Sequence, residues 1–511
     1  MRLRKTSEVR EKVFDRELTL LAATVMLGAL MSITDSTIVN VAIPTLGRKL
    51  HAPLSTIQWA TTSYLLAVAV VIPLTRWVIE RIGTKRAYLG SLVLFILGSI
   101  LCGLASTPTT LIIFRAIQGL GGGLMVPVGQ TILSRAAGPQ RMGRVMTVVT
   151  APSFLGIVIG PVIGGLILGT LGWRWIFYVN VPFGIVAVVL AVAFLAADSD
   201  RSSAPLDVVG LLLLPPGLAL LIYGLSELGN TGSFTTSVLV GLIGGSVFIA
   251  VFCRRALRIS TPLVNLRLYA NYRFLSANLA AFVFTAAAGS GPLITTLYFQ
   301  VGRGYSALGS GLFQSSLAFG AMATMPFAGR IIDRTGPRNV AVVGIVIAIC
   351  SNIPWLLLAP NSSTSLLTVS LFVRGLGVGC VSTPLMAAGY AALQRSEMPT
   401  ATTLSNISQR LGQTAGIAVI AVVLQRAFVA DLPRGHSSLD SIPTSSAGRN
   451  ALGAGLSHAF STTSWGLMAA FALSLVAALS LKRARDSDQP VAGEESSVAE
   501  GAEAGSVPAV E

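Results

Sequence analysis

Long apolar runs separated by short polar segments dominate the pattern of hydrophobic and polar positions along this chain. A run of about 20 apolar residues is long enough to cross the hydrocarbon core of a membrane as a helix. The pattern predicts fourteen such helices, at residues 18–43, 56–77, 87–105, 109–133, 145–169, 174–197, 208–227, 236–254, 273–299, 308–330, 339–358, 364–393, 403–426 and 460–481. We therefore expect an all-α integral membrane protein.

Composition agrees with this expectation. Of the 511 residues, 53% are hydrophobic and 11% are charged, whereas about 25% of the residues in a soluble domain are charged. A net charge of +15 would suggest nucleic-acid binding in a soluble protein. Here the basic residues cluster at the ends of the predicted spans, where they set topology and contact lipid headgroups. We therefore expect the lipid bilayer, and no nucleic acid, as a partner.

The distribution of basic residues predicts the orientation of the spans. If both termini are cytoplasmic, most of the 36 Lys and Arg residues fall in cytoplasmic segments. This asymmetry follows the positive-inside rule, which also favours an even number of spans. The expected location is the cell membrane (inner or plasma membrane), crossed many times, with both termini in the cytoplasm.

Four pairs of similar residues recur at a separation of 252 or 253 positions, which predicts a duplicated half. The pairs are Glu80 with Asp333, Gly83 with Gly336, Gly160 with Gly412, and Gly164 with Gly416. Six spans occupy only about 180 residues, so the longer separation requires an insertion between the halves. The two helices that follow Asp207 supply it.

The spans, repeats and composition together predict five segments. The segments are a cytoplasmic N-terminus at 1–17, an N-terminal six-helix half at 18–197, two inserted helices with a cytoplasmic linker at 198–272, a C-terminal six-helix half at 273–481 with an external loop at 427–459, and a disordered cytoplasmic tail at 482–511. The tail is rich in Ser, Gly and acidic residues, a composition that cannot form a packed core.

Asp35 is a carboxylate inside the first predicted span, where it costs about 2.5 to 3.5 kcal/mol at the centre of a helix. Arg115 lies inside the fourth span and needs a partner of opposite charge or backbone carbonyls. Asp35 is the only carboxylate predicted deep in the first half, so we expect the two to be coupled. Two alternatives remain open. Asp35 could reach the headgroups, and Arg115 could bind carbonyls in a purely structural role.

A stripe of glycines marks the fifth predicted span. Gly156, Gly160 and Gly164 are four residues apart and therefore share one face, while Pro161 and Gly165 lie beside them. Small residues at this spacing let two helices approach closely, and a proline adds a bend point. On spacing alone, static helix packing is an alternative to a role in conformational change.

These motifs resemble those of a known family. The run 156–165 resembles the antiporter signature of drug:proton antiporters in the major facilitator superfamily, and the run 111–123 is similar to its fourth-helix motif, whose arginine is implicated in proton transfer. The runs 35–44 and 173–182 are similar to motifs of its fourteen-helix drug:proton antiporter family, the EmrB/QacA type.

The resemblance implies the major facilitator fold, with two six-helix halves and two extra central helices. It also implies a proton-coupled antiporter that exports hydrophobic or amphiphilic small molecules by alternating access, with no cofactor. Asp35 and Arg115 would couple to protons. The glycine run would serve the conformational change.

A charged loop in each half resembles the superfamily's cytoplasmic gate. The implied gate residues are Glu80, Arg81, Gly83, Asp333, Arg334 and Gly336. The first loop departs from the family pattern, because Arg76 stands in the usual glycine position and Glu80 in that of an Asp. A bulky side chain at position 76 would crowd a close helix contact. A solvated basic loop that only fixes topology is the alternative.

Polar and aromatic residues within the spans are candidates for lining a substrate cavity, although each could instead serve packing. The candidates are Asn40, Trp59, Tyr64, Gln118, Tyr298, Gln314, Gln409 and Gln413.

Two other functions remain open from the sequence. One is export of a dedicated lipid, siderophore or secondary metabolite, and the other is a membrane sensor that transports nothing. No enzyme is predicted, because no nucleophile and base pair or nucleotide loop has convincing spacing. The four cysteines and three histidines form no metal-binding pattern, so no metal is expected.

Overall fold

The computed structural model describes residues 16–196, 205–390, 393–431, 447 and 451–481, and over these residues the secondary structure is helical, with no strand. In chain order, the α-helices of this part are α1 (Arg16–Lys49), α2 (Leu54–Val71), α3 (Thr75–Ile82), α4 (Thr84–Leu104), α5 (Pro108–Thr170), α6 (Trp175–Tyr178), α7 (Asn180–Phe194), α8 (Val208–Thr231), α9 (Thr236–Ala256), α10 (Tyr272–Leu297), α11 (Ala307–Thr335), α12 (Pro337–Ser351), α13 (Ile353–Leu356), α14 (Thr364–Tyr390), α15 (Met398–Asp431) and α16 (Gly453–Leu479). The predicted N-terminal segment, except for its last two residues, and the predicted tail lie outside the described residues.

Twelve helical segments among the described residues are long and apolar enough to cross a membrane. Two other predicted spans, 145–169 and 308–330, lie within α5 and α11. Both of these spans include positions whose side chains are outside the described part, so neither is among the twelve segments. The twelve segments found among the described residues are compatible with the fourteen spans predicted from the sequence.

Helix α5 contains both the fourth and the fifth predicted spans in one helical run of 63 residues. Gly129 packs against Val25 of α1, and Gly156 packs against Ile33 of the same helix. In a straight helix these two glycines would be about 40 Å apart, whereas their contacts on α1 are about 12 Å apart. The chain of α5 therefore reverses direction between these two glycines. Helix α5 thus provides two membrane spans, the predicted fourth and fifth.

Several predicted spans are interrupted or shifted. The sixth span is broken between α6 and α7, so that Asn180 starts a new helix. The second span contains a tight turn at Ile72–Leu74, where Pro73 lacks a backbone N–H. The predicted external loop 427–459 is too long, because α15 continues to Asp431 and α16 begins at Gly453.

Gly83 and Gly336 adopt the same unusual backbone conformation in the two halves. Gly83 joins α3 to α4 with φ 87° and ψ 160°, and Gly336 joins α11 to α12 with φ 82° and ψ 157°. This region of backbone space is essentially restricted to glycine, because a Cβ atom clashes with the chain. The equivalent conformations at equivalent positions agree with the predicted duplication.

Replacing Gly83 with Ala is expected to lower the free energy of unfolding by about 1 to 3 kcal/mol, the usual cost of a strained backbone residue. Thermal unfolding of the purified protein would measure the loss. Gly90→Ala in α4 is the control, because a Cβ at Gly90 meets no atom within 4 Å. Equal stability of the Gly83 and Gly90 variants would contradict this account of the turn.

The inserted hairpin of α8 and α9 packs on the side of the bundle. Close backbone contact between Gly224 and Gly241 holds the two helices together. Helix α8 also contacts α2 and α15, one from each half. At its start, the Asp207 carboxylate accepts a hydrogen bond from the Gly210 N–H at 2.8 Å and pairs with Arg255 of α9 at 2.6 Å.

Hydrogen bonds connect the two halves at the end of the bundle where α15 begins. The hydroxyls of Thr131 on α5 and Thr402 on α15 are 2.9 Å apart. The Asn406 amide donates to Gln130 Oε1 at 2.7 Å. The halves are therefore in direct contact at this end.

Candidate functional site

Asp35 and Arg115 form an ion pair that is fully buried. Arg115 Nη1 lies 2.5 Å from Asp35 Oδ2, and neither side chain is exposed. The second carboxylate oxygen accepts hydrogen bonds from Gln118 Nε2 at 2.9 Å and from Asn180 Nδ2 at 2.8 Å. A buried charge is tolerated when it is paired and hydrogen-bonded in this way. In the described geometry Asp35 is therefore paired inside the helical bundle and does not reach its surface.

Ser99 completes the network from α4. Its hydroxyl oxygen accepts from Gln118 Nε2 at 2.6 Å and from Asn180 Nδ2 at 3.2 Å. Arg115 Nη1 also donates to Gln118 Oε1 at 2.6 Å. Four helices, α1, α4, α5 and α7, thus contribute to one hydrogen-bond network around the Asp35 carboxylate.

Ser99 and Asn180 are members of this site that were not predicted from the sequence. Asn180 lies in the run 173–182 that resembles the antiporter family, and a polar residue at a helix break is a signal that could have identified it. Ser99 gives no such signal, because a serine is common within membrane spans and can bond to its own helix backbone.

Arg115 also connects the ion pair to α2. Its Nε donates to the Ala60 carbonyl oxygen at 3.2 Å, and its guanidinium lies 4.3 Å from the centre of the Tyr64 ring. Tyr64 in turn contacts Ser32 of α1 through their hydroxyls, 2.9 Å apart. Movement of Arg115 would therefore act directly on α2.

The glycine stripe packs on the part of α1 that carries Asp35. A Cβ at Gly156 would lie 2.8 Å from Ile33 Cγ2, and one at Gly160 would overlap Thr37 Oγ1. A Cβ at Gly164 would lie 3.3 Å from Ile38 Cγ2.

Thr37 Oγ1 donates to the Gly156 carbonyl oxygen at 3.1 Å, so the contact is polar as well as close. Gly165 differs from the stripe, because a Cβ there meets nothing within 4 Å. The side chain of Pro161 lies outside the described part.

The residues of the predicted gate are only partly described. Arg76 Nε binds Glu80 Oε1 at 2.8 Å, one turn apart on α3. Arg76, in the position where the family pattern has Gly, is thus the partner of the acid. Arg81 is exposed. Asp333 and Arg334 lie on α11, but their side chains are outside the described part.

A cavity of about 770 Å³ lies between α2, α8, α10 and α15. Its wall includes Gln58 and Leu65 of α2, Ser226 of α8, Leu293 of α10, and Arg410 and Gln413 of α15. This volume lies within the range of about 300 to 1,000 Å³ that is typical of small-molecule sites. The cavity lies towards the end of the bundle at which α2 begins and α15 ends. The contact between Thr131 and Thr402 lies nearer the opposite end.

Of the eight candidate cavity residues, Gln413 is the one that the structure places in the cavity wall. Gln118 and Tyr64 belong to the Asp35 network instead. Trp59 stacks on Tyr223 of the inserted helix α8, with ring centres 6.2 Å apart.

The remaining candidates lie elsewhere in the C-terminal half or outside the described part. Tyr298 is buried against the rings of Trp355 and Phe460. The Gln314 side chain accepts a hydrogen bond from Thr295 Oγ1 at 2.7 Å. Gln409 is outside the cavity wall, and the side chain of Asn40 is not described.

A sequence model of the Major Facilitator Superfamily matches residues 25–417. The chain belongs to the major facilitator superfamily. This confirms the predicted family and the all-α fold, and it makes the chain a multi-pass membrane protein.

Among superfamily proteins, the chain is 37% identical over 411 residues to the "Multidrug resistance protein B homolog" of Mycobacterium tuberculosis (strain ATCC 25618 / H37Rv). The aligned residues cover 80% of this chain and 76% of that protein. Two solved structures share the superfamily fold. The human organic anion transporter MFSD10 (TETRAN) has a TM-score of 0.62 at 16% identity, over 91% of this chain and 100% of that one. The proton:xylose symporter XylE has a TM-score of 0.60 at 13% identity, over 91% of this chain and 96% of that one. At such identities the likeness shows the fold alone.

Proposed function

We propose that the protein is a proton-coupled antiporter that exports hydrophobic or amphiphilic small molecules from the cell by alternating access. The observation that carries the proposal is the buried pair of Asp35 and Arg115. Ionisable pairs inside membrane spans are rare and commonly serve proton or ion pathways. The multidrug name of the mycobacterial relative supports small molecules of broad type as the cargo.

Protonation of Asp35 would change the forces on Arg115. A neutral carboxyl attracts a guanidinium far less than a carboxylate does, and the difference is large where the surroundings are apolar. Arg115 would then be held mainly by Gln118 and by α2. The proton thus competes with Arg115 for the Asp35 carboxylate.

Helix α2 connects this event to the cavity. One face of α2 carries Ala60 and Tyr64, which contact Arg115. Gln58, Leu65 and Ala69 lie on the opposite face and line the cavity. A shift of α2 that follows the release of Arg115 would therefore reshape the cavity wall.

The proposed orientation places both termini in the cytoplasm of the cell membrane. The contact of Thr131 with Thr402 then closes the cytoplasmic side, and the cavity lies towards the outside. In this state protons from outside would reach Asp35 and substrate would leave. When the protonated protein returns to the inward-open state, Asp35 would release its proton to the cytoplasm. Proton entry would thus drive substrate export.

The test is transport by the full chain in proteoliposomes. A panel of fluorescent neutral, cationic and anionic amphiphiles would be followed under an imposed pH gradient, with a pH-sensitive dye in the lumen. We expect substrate movement against proton movement, and a protonophore should abolish it. Movement that persists without any gradient would contradict proton coupling, and absence of movement across the panel would favour a dedicated cargo or a sensor.

A further inference from the structure

Arg410 is the ionisable side chain in the cavity wall, and it stands there without a carboxylate. The wall contains no Asp or Glu among the described residues. The ion pairs of the described part do not include Arg410. Its side chain is exposed, and the cavity is the space that it faces.

The acids nearest in sequence to the cavity wall point elsewhere. Glu227 is adjacent to Ser226 on α8, but at 100° per residue it lies on a different face from Ile222, Ser226 and Gly229, which line the cavity. Asp431 follows the wall residue Phe428 by three positions on α15, but its Oδ2 lies 2.9 Å from Nδ1 of His458. The cavity therefore carries an uncompensated positive charge.

We propose that the cavity binds anionic amphiphiles, with Arg410 as the residue that binds the acidic headgroup. This inference deepens the proposed function and rests on the cavity being the substrate site. A guanidinium binds carboxylate, sulfonate or phosphate groups through paired, charge-assisted hydrogen bonds. An apolar wall around it weakens competition from water and strengthens the interaction.

The rest of the wall suits the apolar part of such a molecule. Gln413 and Thr414 lie one turn after Arg410 on α15 and can add hydrogen bonds to the headgroup. Leu65, Leu293 and Phe428 supply apolar surface for the remainder. One charged position in a largely apolar wall is the pattern expected for an amphiphile with a single acidic group.

An anionic substrate is compatible with proton antiport in this structure. Asp35 is not part of the cavity wall, so the proton and the substrate bind to different side chains. Coupling would pass through α2, which contacts Arg115 on one face and the cavity on the other. The substrate and the proton therefore do not compete for the Asp35 carboxylate.

The experiment compares two probes that differ in one charged group. These are 1-anilinonaphthalene-8-sulfonate and its neutral parent, N-phenyl-1-naphthylamine. Binding to the full chain in lipid nanodiscs would be measured at equilibrium, with empty nanodiscs subtracted. We expect Arg410→Gln to weaken binding of the sulfonate by about tenfold or more, as for other charge-assisted hydrogen bonds, and to change binding of the neutral probe less than about twofold. Arg410→Lys should retain most of the sulfonate affinity.

Arg426→Gln is the matched control. Arg426 is an exposed arginine on the same helix that does not line the cavity. Its replacement should leave both affinities unchanged. Unchanged sulfonate binding in Arg410→Gln would overturn the proposal. So would an equal loss of both probes in a variant whose thermal unfolding matches wild type, because Arg410 would then only shape the cavity. The measurement uses no pH gradient, so a failure of proton coupling would leave it intact.

Discussion

Asp35→Asn is expected to reduce proton-driven transport to the level of empty liposomes. The asparagine amide keeps the size of the side chain and can accept hydrogen bonds from Gln118 and Asn180, but it cannot take up or release a proton. Arg115 would then have a neutral partner at every stage of the cycle. The switch between a paired and a released Arg115 would be lost.

Substrate movement and lumenal pH in proteoliposomes would measure this loss. Glu227→Gln is the matched control, because it removes another carboxylate within a membrane span that is not bonded to Arg115. We expect the control to transport like wild type. Wild-type coupling in Asp35→Asn would refute the proposed role of the pair.

A second measurement separates coupling from folding. Loss of one partner of a buried ion pair costs up to about 3 to 5 kcal/mol, because the other charge is left uncompensated. Asp35→Asn should therefore lower the thermal stability. The double variant Asp35→Asn with Arg115→Gln removes both charges and should recover part of it, while transport stays absent. Recovery of coupled transport in the double variant would show that the pair is structural.

Gly160→Leu is expected to block transport without preventing membrane insertion. A Cβ at Gly160 already overlaps Thr37 Oγ1, so a leucine cannot fit while α1 and α5 keep their present contact. The helices must separate near Asp35, at a typical cost of about 1 to 3 kcal/mol for overpacking. The Arg115 pair would be displaced with them.

Gly165→Leu is the control on the same stretch of α5. A Cβ there meets nothing within 4 Å, so the same substitution should leave transport and stability near wild type. Transport rates would be compared at equal amounts of inserted protein. Full activity of Gly160→Leu would show that close packing against α1 is dispensable. Equal inactivity of both variants would indicate that bulk anywhere on this segment is harmful.

The local features of the fold were predictable from the sequence. Spans are set by runs of apolar residues, and the predicted boundaries mostly fall within a few residues of the observed helices. The long loop 427–459 was the main exception, because α15 continues to Asp431 and α16 begins at Gly453. The pairing of Asp35 with Arg115 was predictable, because a buried charge needs a partner and few were available.

The cavity was not predictable in the same way. Polar residues inside spans look alike in sequence, yet Tyr64 and Gln118 bind at the ion pair while Gln413 faces the cavity. Their positions depend on how each helix is rotated against its neighbours. That rotation follows from packing between residues far apart in the chain.

The sequence by itself therefore determined the span positions, the duplicated halves, the family and the charged pair. Each of these follows from hydrophobicity, spacing or charge along one stretch of chain. Tertiary structure alone decided the roles of Ser99 and Asn180, the difference between Gly160 and Gly165, and the exposure of Arg410 in the cavity. These features arise where separate helices meet, and steric fit between distant residues sets them.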